Sequence, residues 1–448
     1  MRLARSKQTA GLPADSLCRR RKSRGRGFFT PEETEKLLEK MTAQQNTQNK
    51  VSKNLALQLI LLMGVVSALG DITYETGRST SGPYLAFLGA SAFVIGLTSG
   101  LGEFLGYALR LASGYLADRT RSYWIATFIG YGLILSIPLL TYTNRWEWAV
   151  VLLLLERVGK AIRSPARDTI LSHAAHQIGR GWGFAIHEAL DQVGAVLGPL
   201  IFAAVFMQRN SYRDGFSILW IPAILTLVAL IVARLRVPAP EKLEDPHQPD
   251  IQAVETKKPA LPRMFWVYGL FTFLGVAGFA NFQIISYHLV NKAVVPAAQI
   301  PILYAVAMGV DALAALVIGK AYDKIGLKSL IIIPFVTLPL PFLAFSQQYW
   351  LAVVSAVLWG VVMAVHETVM RAAIADLVPM GRRAFAYGIF NTIYGAAWFV
   401  SGVLLGLLYD LSSIWLIAYV IVAEAGALLV FSRLHKAVDR QAIHGTIS

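Results

Sequence analysis

From Leu55 to Phe431 the chain is a succession of apolar runs separated by short clusters of Gly, Pro, Asp and Arg. A hydrocarbon core about 30 Å thick takes roughly 20 apolar residues of helix. Runs of that length predict membrane-spanning helices rather than the elements of a soluble core. Windows read between charge clusters and turn residues give twelve spans: 54–78, 84–110, 123–142, 146–166, 182–207, 215–235, 263–289, 299–319, 328–346, 349–372, 384–408 and 412–433. Several carry acids or histidines, and twelve is the number at which the two halves of the chain match.

The polar stretches divide the chain further. Before the first span, RRRKSRGRG has no periodicity and reads as a solvated tail near lipid headgroups. TPEETEKLLEKM then predicts a short helix, with Thr30 as N-cap, Pro31 in the first turn and Glu33 closing a capping box. Between the sixth and seventh spans, VPAPEKLEDPHQPDIQAVETKKPALP is rich in Pro and charge and marks a linker. The expected organisation is a basic tail (1–53), a six-helix bundle (54–235), a linker (236–262), a second six-helix bundle (263–433) and a tail (434–448).

Composition agrees with this pattern. Apolar residues make up 55% of the 448 and charged residues only 15%, with mean hydropathy +0.53, which argues against a soluble protein. The net charge of +14 raises nucleic-acid binding, but the position of the charge decides against it. Most of the 41 Lys and Arg fall on the side of the N-terminus, and the opposite side holds Arg78, Arg145, Arg209, Arg213 and Lys292. This bias predicts a multi-pass protein of the cell's inner membrane with both termini cytoplasmic, drawn to anionic lipid. The single Cys18 excludes a disulfide framework and a cysteine-based metal site. The first fifty residues lack an apolar core segment, so no cleavable signal peptide is expected; the arginine-rich start leaves an organelle transit peptide as the alternative.

An internal repeat supports the division into halves. GYLADRTR, Gly114 to Arg121, and GKAYDKIGLK, Gly319 to Lys328, place Asp118 and Asp323 alike, four residues after a glycine and one before a base, Arg119 or Lys324. GRGWGFAI (Gly179 to Ile186) and RRAFAYGI (Arg382 to Ile389) recur at nearly the same offset. Two six-helix halves related by duplication are a transporter architecture, with a site between them near the bilayer midplane.

GYLADRTR resembles the signature Gly-x-Leu-x-Asp-Arg-x-Gly-Arg that the major facilitator superfamily carries between its second and third helices, and GKAYDKIGLK resembles its weaker echo between helices 8 and 9. Thr120 and Arg121 stand where Gly and Arg or Lys are expected, with one residue missing. The resemblance covers residues 54 to 433 and implies an all-α membrane fold of twelve helices in two pseudo-symmetric bundles. It also implies a conformational latch of Gly114, Asp118, Arg119, Arg121, Gly319, Asp323 and Lys324, in which the aspartate meets a helix N-terminus and the arginines meet acids or lipid phosphates. GAVLGPL, with Gly194, Gly198 and Pro199, resembles the helix 5 motif of the antiporter branch; small residues four apart also serve plain helix packing. Gly402 and Gly406 give the eleventh span a similar small face. GDITYET (Gly70 to Thr76) and RVGKAIRSPARD (Arg157 to Asp168) resemble motifs of drug and proton antiporters. The continuation through helix 5 resembles a bacterial efflux-like branch with metal-resistance and magnetosome-associated members.

Ionisable groups at membrane depth cost several kcal/mol unless paired or hydrated, so each is a candidate site. Asp71 and Glu75 are i and i+4 on one helix face, and Glu188 and Asp191 share a face near mid-membrane. Arg157 lies at depth in search of an acid; Glu156 and Lys160 are spaced to neutralise each other, as are Glu367 and Arg371. Glu103 and Asp311 complete the set. Asp71, Glu75, Arg157, Glu188, Asp191 and Glu367 form the expected proton-coupling and charge network. Asn281, Gln283, His288, His366 and Trp398 are expected near a central cavity. His173 and His176 have ligand-compatible spacing near Asp168 but no Cys or Met cluster beside them, so no metal site is assigned.

The sequence therefore predicts a secondary transporter, a proton-coupled exporter of a small molecule working by alternating access. The alternatives are a metal-ion exporter of the same fold and a non-transporting sensor or assembly protein. Expected partners are a small-molecule or ion substrate, protons and membrane lipids, with no nucleic acid, no cofactor and function as a monomer. A Gly-x-x-x-x-Gly-Lys-Ser/Thr nucleotide loop is missing, and so is a Gly-x-Ser-x-Gly nucleophile motif, which argues against an ATP-driven pump and against an enzyme.

Overall fold

The structure, a computed structural model, describes the backbone of residues 31–243, 261–379 and 382–445, with side chains from Lys53 to Leu434 within those limits, save at Arg180 and Ala384. The arginine-rich segment, Cys18, Thr30, the side chain of Glu33 and most of the linker lie outside the described residues. Two compact units are distinguished, Met1–Asn54 and Leu55–Ser448. The first is helical from Pro31, and the second holds the apolar helices and the candidate site.

The described residues are helical throughout, without strands. In chain order the helices are α1 (Pro31–Phe87), α2 (Ala92–Thr120), α3 (Tyr123–Gly132, continued by 3₁₀ turns to Tyr142), α4 (Trp146–Ile178), α5 (Arg180–Arg209) and α6 (Trp220–Arg236, preceded by the short helix Tyr212–Ser217). Then come α7, in two pieces (Arg263–Ala277 and Phe282–Asn291), α8 (Ile300–Ile325) and α9, irregular from Gly326 to Ala344. The last are α10 (Tyr349–Leu377, with a π turn at Val365–Val369), α11 (Arg383–Leu411) and α12 (Ser413–Gly445). Among the described residues, ten helical stretches are long and apolar enough to cross a membrane. One of them, Ala297–Ala344, contains both α8 and α9, which part at Gly326 with φ +58. Helix α4 is not among the ten, being charged along its middle by Glu156, Arg157, Lys160 and Arg163.

One expected boundary is wrong. The sequence pattern ends the first span at residue 78, with Arg78 in an outer loop; α1 instead continues through Pro83 to Phe87. The polar run after Arg78 does not need water, because its hydroxyls bond back into the helix. Ser79 and Thr80 donate to the Thr76 carbonyl at 2.9 and 2.7 Å, and Ser81 donates to that of Arg78 at 3.2 Å. Arg78 is thereby carried inside the protein.

Glycines set the helix spacing. A Cβ at Gly194 would lie 2.2 Å from the Ala68 carbonyl oxygen, and one at Gly198 would lie 2.3 Å from that of Ile72. Helices α1 and α5 therefore touch backbone to backbone along a parallel seam. A second seam joins the two halves: Gly96 and Gly100 of α2 meet Gly402 and Trp398–Phe399 of α11, antiparallel, with a Gly96 Cβ placed 2.1 Å from the Gly402 oxygen. At its end Asp410 accepts hydrogen bonds from the Ala92 and Phe93 amides, at 3.2 and 2.9 Å, and so caps α2 from the other half. A Cβ at Gly82 would strike Gln283 of α7 at 2.3 Å, so α1 and α7 also meet near this end. The break in α7 leaves carbonyls without helical partners. Donors from three helices supply them: Trp359 to Ala280 at 3.0 Å, Ser401 to Phe279 at 2.6 Å and Tyr419 to Ala277 at 3.2 Å.

Gly198→Ala is expected to cost about 1–3 kcal/mol and so lower the thermal midpoint, since the methyl would meet the Ile72 backbone and the Thr76 hydroxyl, both within 3 Å. Gly132→Ala, where nothing lies within 4 Å, is expected to be neutral or stabilising. Fluorescence-detected size-exclusion after heating compares them, and an unmoved midpoint for Gly198→Ala would sink the seam. At the end of α2, Arg121 takes the left-handed conformation, φ +50, which glycine adopts at lower cost. Arg121→Gly is expected to stabilise by about 1 kcal/mol in the same assay; a lowered midpoint would show that the arginine side chain, not its backbone, matters there.

Candidate functional site

Four side chains on one face of α1, Asp71, Tyr74, Glu75 and Arg78, follow the i, i+3, i+4, i+7 pattern and point into the protein. Arg78 reaches Glu103 of α2 at 3.4 Å and Glu75 at 3.8 Å. Arg157 of α4 pairs with the same Glu103 at 3.2 Å, stands 4.0 Å from Glu156 and donates to the Tyr74 hydroxyl. Glu156 pairs with Arg163 at 3.1 Å, two helical turns along α4, rather than with Lys160 as the spacing predicts. Lys160 instead lies over the Tyr74 ring, 3.6 Å from its centroid. Three carboxylates and three guanidiniums thus form a buried network of zero net charge. The second half meets it with neutral groups. Tyr304 of α8 donates to Glu75, the Gln283 amide donates to the Arg78 carbonyl at 3.4 Å, and the Trp359 ring lies 5.9 Å from the Arg78 guanidinium.

A second set of acids stands beside this network without ion-pair partners among the described residues. Asp71 of α1 is within electrostatic reach of Asp191 of α5, and also of Lys160. Glu188 of α5 is within reach of Asp191 and of Glu367 on α10, and Asp311 of α8 within reach of Glu367. One Asp191 oxygen is buried and has no hydrogen-bond partner. Glu188 is exposed. The expected Glu367–Arg371 ion pair does not close. Glu367 sits in the π turn and lines a small chamber with Arg78, Arg110 and Arg157, while Arg371 is exposed.

The other expected site residues scatter. Asn281 caps the second piece of α7 by accepting from the Ile284 amide at 3.1 Å. His288, also on α7, is buried against Tyr409, 2.8 Å from its hydroxyl. His366 and Trp398 are buried against Phe279 and Tyr394, with His366 Nδ1 3.4 Å from the Tyr394 hydroxyl. Gly114 packs near Pro165. Asp118 accepts from Tyr123 at 3.3 Å, and Asp118, Arg119, Arg121, Asp323 and Lys324 are all exposed, with no ion pair across the halves among the described residues. Gly319 has open space beside it, and Pro199 lies within α5. His173 meets the Tyr123 ring edge-on and His176 lies in the last turn of α4. No group of three His, Cys, Asp or Glu able to hold a metal ion occurs among the described residues.

Sequence reasoning missed Arg78, Tyr74, Tyr304, Arg110 and Glu424. Arg78 was signalled by its i+7 spacing from Asp71. Tyr304 carried no signal, since its partner Glu75 lies in the other half. Glu424 of α12 is fully buried beside Gly278, and neither of its carboxyl oxygens has a partner.

Comparison with known proteins agrees with this architecture. The sequence profile described as Major Facilitator Superfamily matches residues 59–292 and 284–442. An uncharacterised protein of Mycobacterium tuberculosis is 42% identical over 377 residues, 84% of this chain and 92% of that one. An uncharacterised MFS-type transporter of Methanocaldococcus jannaschii is 28% identical over 87% of this chain and 97% of its own length. A class E tetracycline resistance protein of Escherichia coli is 34% identical over 151 residues, 33% of this chain and 34% of that one. Among solved structures, the nucleoside transporter NupG superposes with a TM-score of 0.66 at 14% identity, over 84% of this chain and 98% of its own. A bacterial homologue of the human lysosomal transporter Spinster gives 0.65 at 13%, over 85% and 96%. The chain belongs to the Major Facilitator Superfamily of membrane transporters.

Proposed function

We propose that this protein is a proton-coupled exporter of a small molecule that works by alternating access in the inner membrane, with both termini in the cytoplasm. The observation that carries the reading is the second set of acids. Asp71, Glu188, Asp191, Asp311 and Glu367 come from both halves, stand near one another and lack ion-pair partners among the described residues, beside a network whose own charges cancel. Unpaired carboxyls are suited to take up and release protons as their surroundings change. In this reading the bundles 54–235 and 263–433 rock about the seam of α2 and α11, and the exposed Asp118 and Asp323 belong to the latch in its released state. Export is favoured by the GAVLGPL motif and by the partial likeness to a tetracycline resistance protein.

The neutral network is assigned a different role, a platform that holds α1, α2 and α4 in register. The two roles separate experimentally. Arg78→Gln is expected to cost about 3–5 kcal/mol of stability, because it leaves Glu75 buried without an ion pair and Glu103 with Arg157 alone. The triple variant Asp71→Asn, Glu188→Gln, Asp191→Asn is expected to keep its thermal midpoint. In inside-out vesicles with a preformed pH gradient, tetracycline, lipophilic cations, organic anions and divalent metal ions are added in turn. One class is expected to dissipate the gradient with the native protein, and the triple variant is expected to match protein-free vesicles. Undiminished dissipation by the triple variant would refute proton coupling through these acids.

A further inference from the structure

The transporter reading leaves the chemistry of the cargo open, and the cations of the chamber bear on it. The chamber has a volume of about 40 Å³, room for one small polar group rather than for a whole substrate. Three carboxylates line it: Glu75 and Glu103 are engaged by Arg78 and Arg157, and Glu367 of α10 has no ion pair among the described residues. Two lining cations remain without a carboxylate within ion-pair distance among the described residues, Arg110 of α2 and Lys160 of α4. Each rests on a tyrosine face instead: Arg110 lies 4.7 Å from the centroid of Tyr107, and Lys160 lies 3.6 Å from that of Tyr74. The Arg110 Nε is buried with no acceptor among the described residues, a desolvation cost that a bound acceptor would offset. Gly106, one turn before Arg110, also lines the chamber, and a Cβ there would touch nothing within 4 Å.

The opposite half presents a third such cation. Arg371 of α10 is exposed and stands within electrostatic reach of Arg110, like charge against like. The acids in the neighbourhood are Glu103 near Arg110 and Lys160, Asp168 near Arg110, Asp71 near Lys160, and Glu367 and Glu188 near Arg371. None of them closes an ion pair with these three cations. The acids without pairs belong to α1, α5, α8 and α10, whereas Arg110 and Lys160 belong to α2 and α4, so the first half separates an acidic wall from a basic one.

We propose that the cargo carries an anionic group, a carboxylate, phosphate or sulfonate, which enters the chamber beside Gly106 and is held by Arg110 and Lys160, with Arg371 joining from the other half. The inference rests on the transporter reading above. An anion there reverses the repulsion between Arg110 and Arg371 and satisfies the guanidinium forks. Because the two arginines come from different halves, the anion binds a state that brings them together more tightly than one that parts them, which is what cargo must do to drive the transition.

The test is a binding titration on the purified full chain in detergent, with no pH gradient. Inorganic phosphate and acetate are titrated against choline chloride at matched ionic strength, and the thermal midpoint is read. The native protein is expected to show a saturable rise with phosphate or acetate and none with choline. In Arg110→Gln and Lys160→Gln the half-saturating concentration is expected to rise tenfold or more, with a smaller shift for Arg110→Lys. Gly106→Ala leaves every charge in place and fills the space, and is expected to weaken binding as well, which a purely structural role for the arginine would not do. A phosphate response equal in the native, Arg110→Gln and Gly106→Ala proteins would be a general salt effect and would overturn the proposal. So would no saturable anion response in the native protein, or a saturable response to choline alone. Anion binding by a protein that fails to dissipate a pH gradient would sink proton coupling and leave this inference standing; the reverse result would do the opposite.

Discussion

A guanidinium at membrane depth has to be neutralised where it sits, and here two of them, Arg78 and Arg157, share one carboxylate, Glu103. Sharing binds α1, α2 and α4 together, because moving any one helix leaves an uncompensated charge in a medium that does not solvate it. It also demands close helices. Gly102 supplies part of that closeness, since a Cβ there would stand 3.0 Å from the Arg157 side chain. The second half touches the same network through a tyrosine hydroxyl, an amide and an indole face. Neutral contacts of this kind cost less to release than an ion pair. The halves are therefore able to part without stranding a charge, while the first half stays whole.

Glycine does two jobs in this arrangement. Along α1 and α5 it lets two helices of the same half lie backbone to backbone, which holds Asp71 and Asp191 near one another. Along α2 and α11 it joins helices of opposite halves, and there the contact is closed by the Asp410 carboxylate on the first amides of α2. A side chain larger than hydrogen on either seam would separate the axes. The broken α7 adds a third device: its free carbonyls are held by donors from α10, α11 and α12, so the break is tied to the second half alone.

Hydropathy makes most of the fold legible, because length and apolarity are what a bilayer demands of a helix. The span at 146–166 is recognisable despite its charges, and the structure gives their reason, since each of Glu156, Arg157 and Arg163 has a partner inside the protein. Arg78 misleads for a physical cause. Ser-Thr-Ser-Gly-Pro is turn chemistry in water, but hydroxyls that bond back to their own helix make it helical in a dry setting. Local spacing fails for ion pairs too. Glu156 is four residues from Lys160 and seven from Arg163, and it meets the latter because Tyr74 offers the lysine a ring face. Contacts made across the halves, such as Tyr304 with Glu75, have no local signature at all.

Cancelled and uncancelled charges have different consequences. The cancelled charges lie in the first half, near the α2–α11 seam, where rigidity is useful. The unpaired ones come from both halves: acids on α1, α5, α8 and α10, cations on α2, α4 and α10. A protein selected for stability alone would pair these groups or replace them with apolar side chains. Leaving them unpaired lowers stability and preserves sites whose energy depends on what enters between the halves. That dependence is the physical requirement for a protein whose two states must respond to a ligand and to a proton, since neither can shift an equilibrium between conformations that bind it equally well.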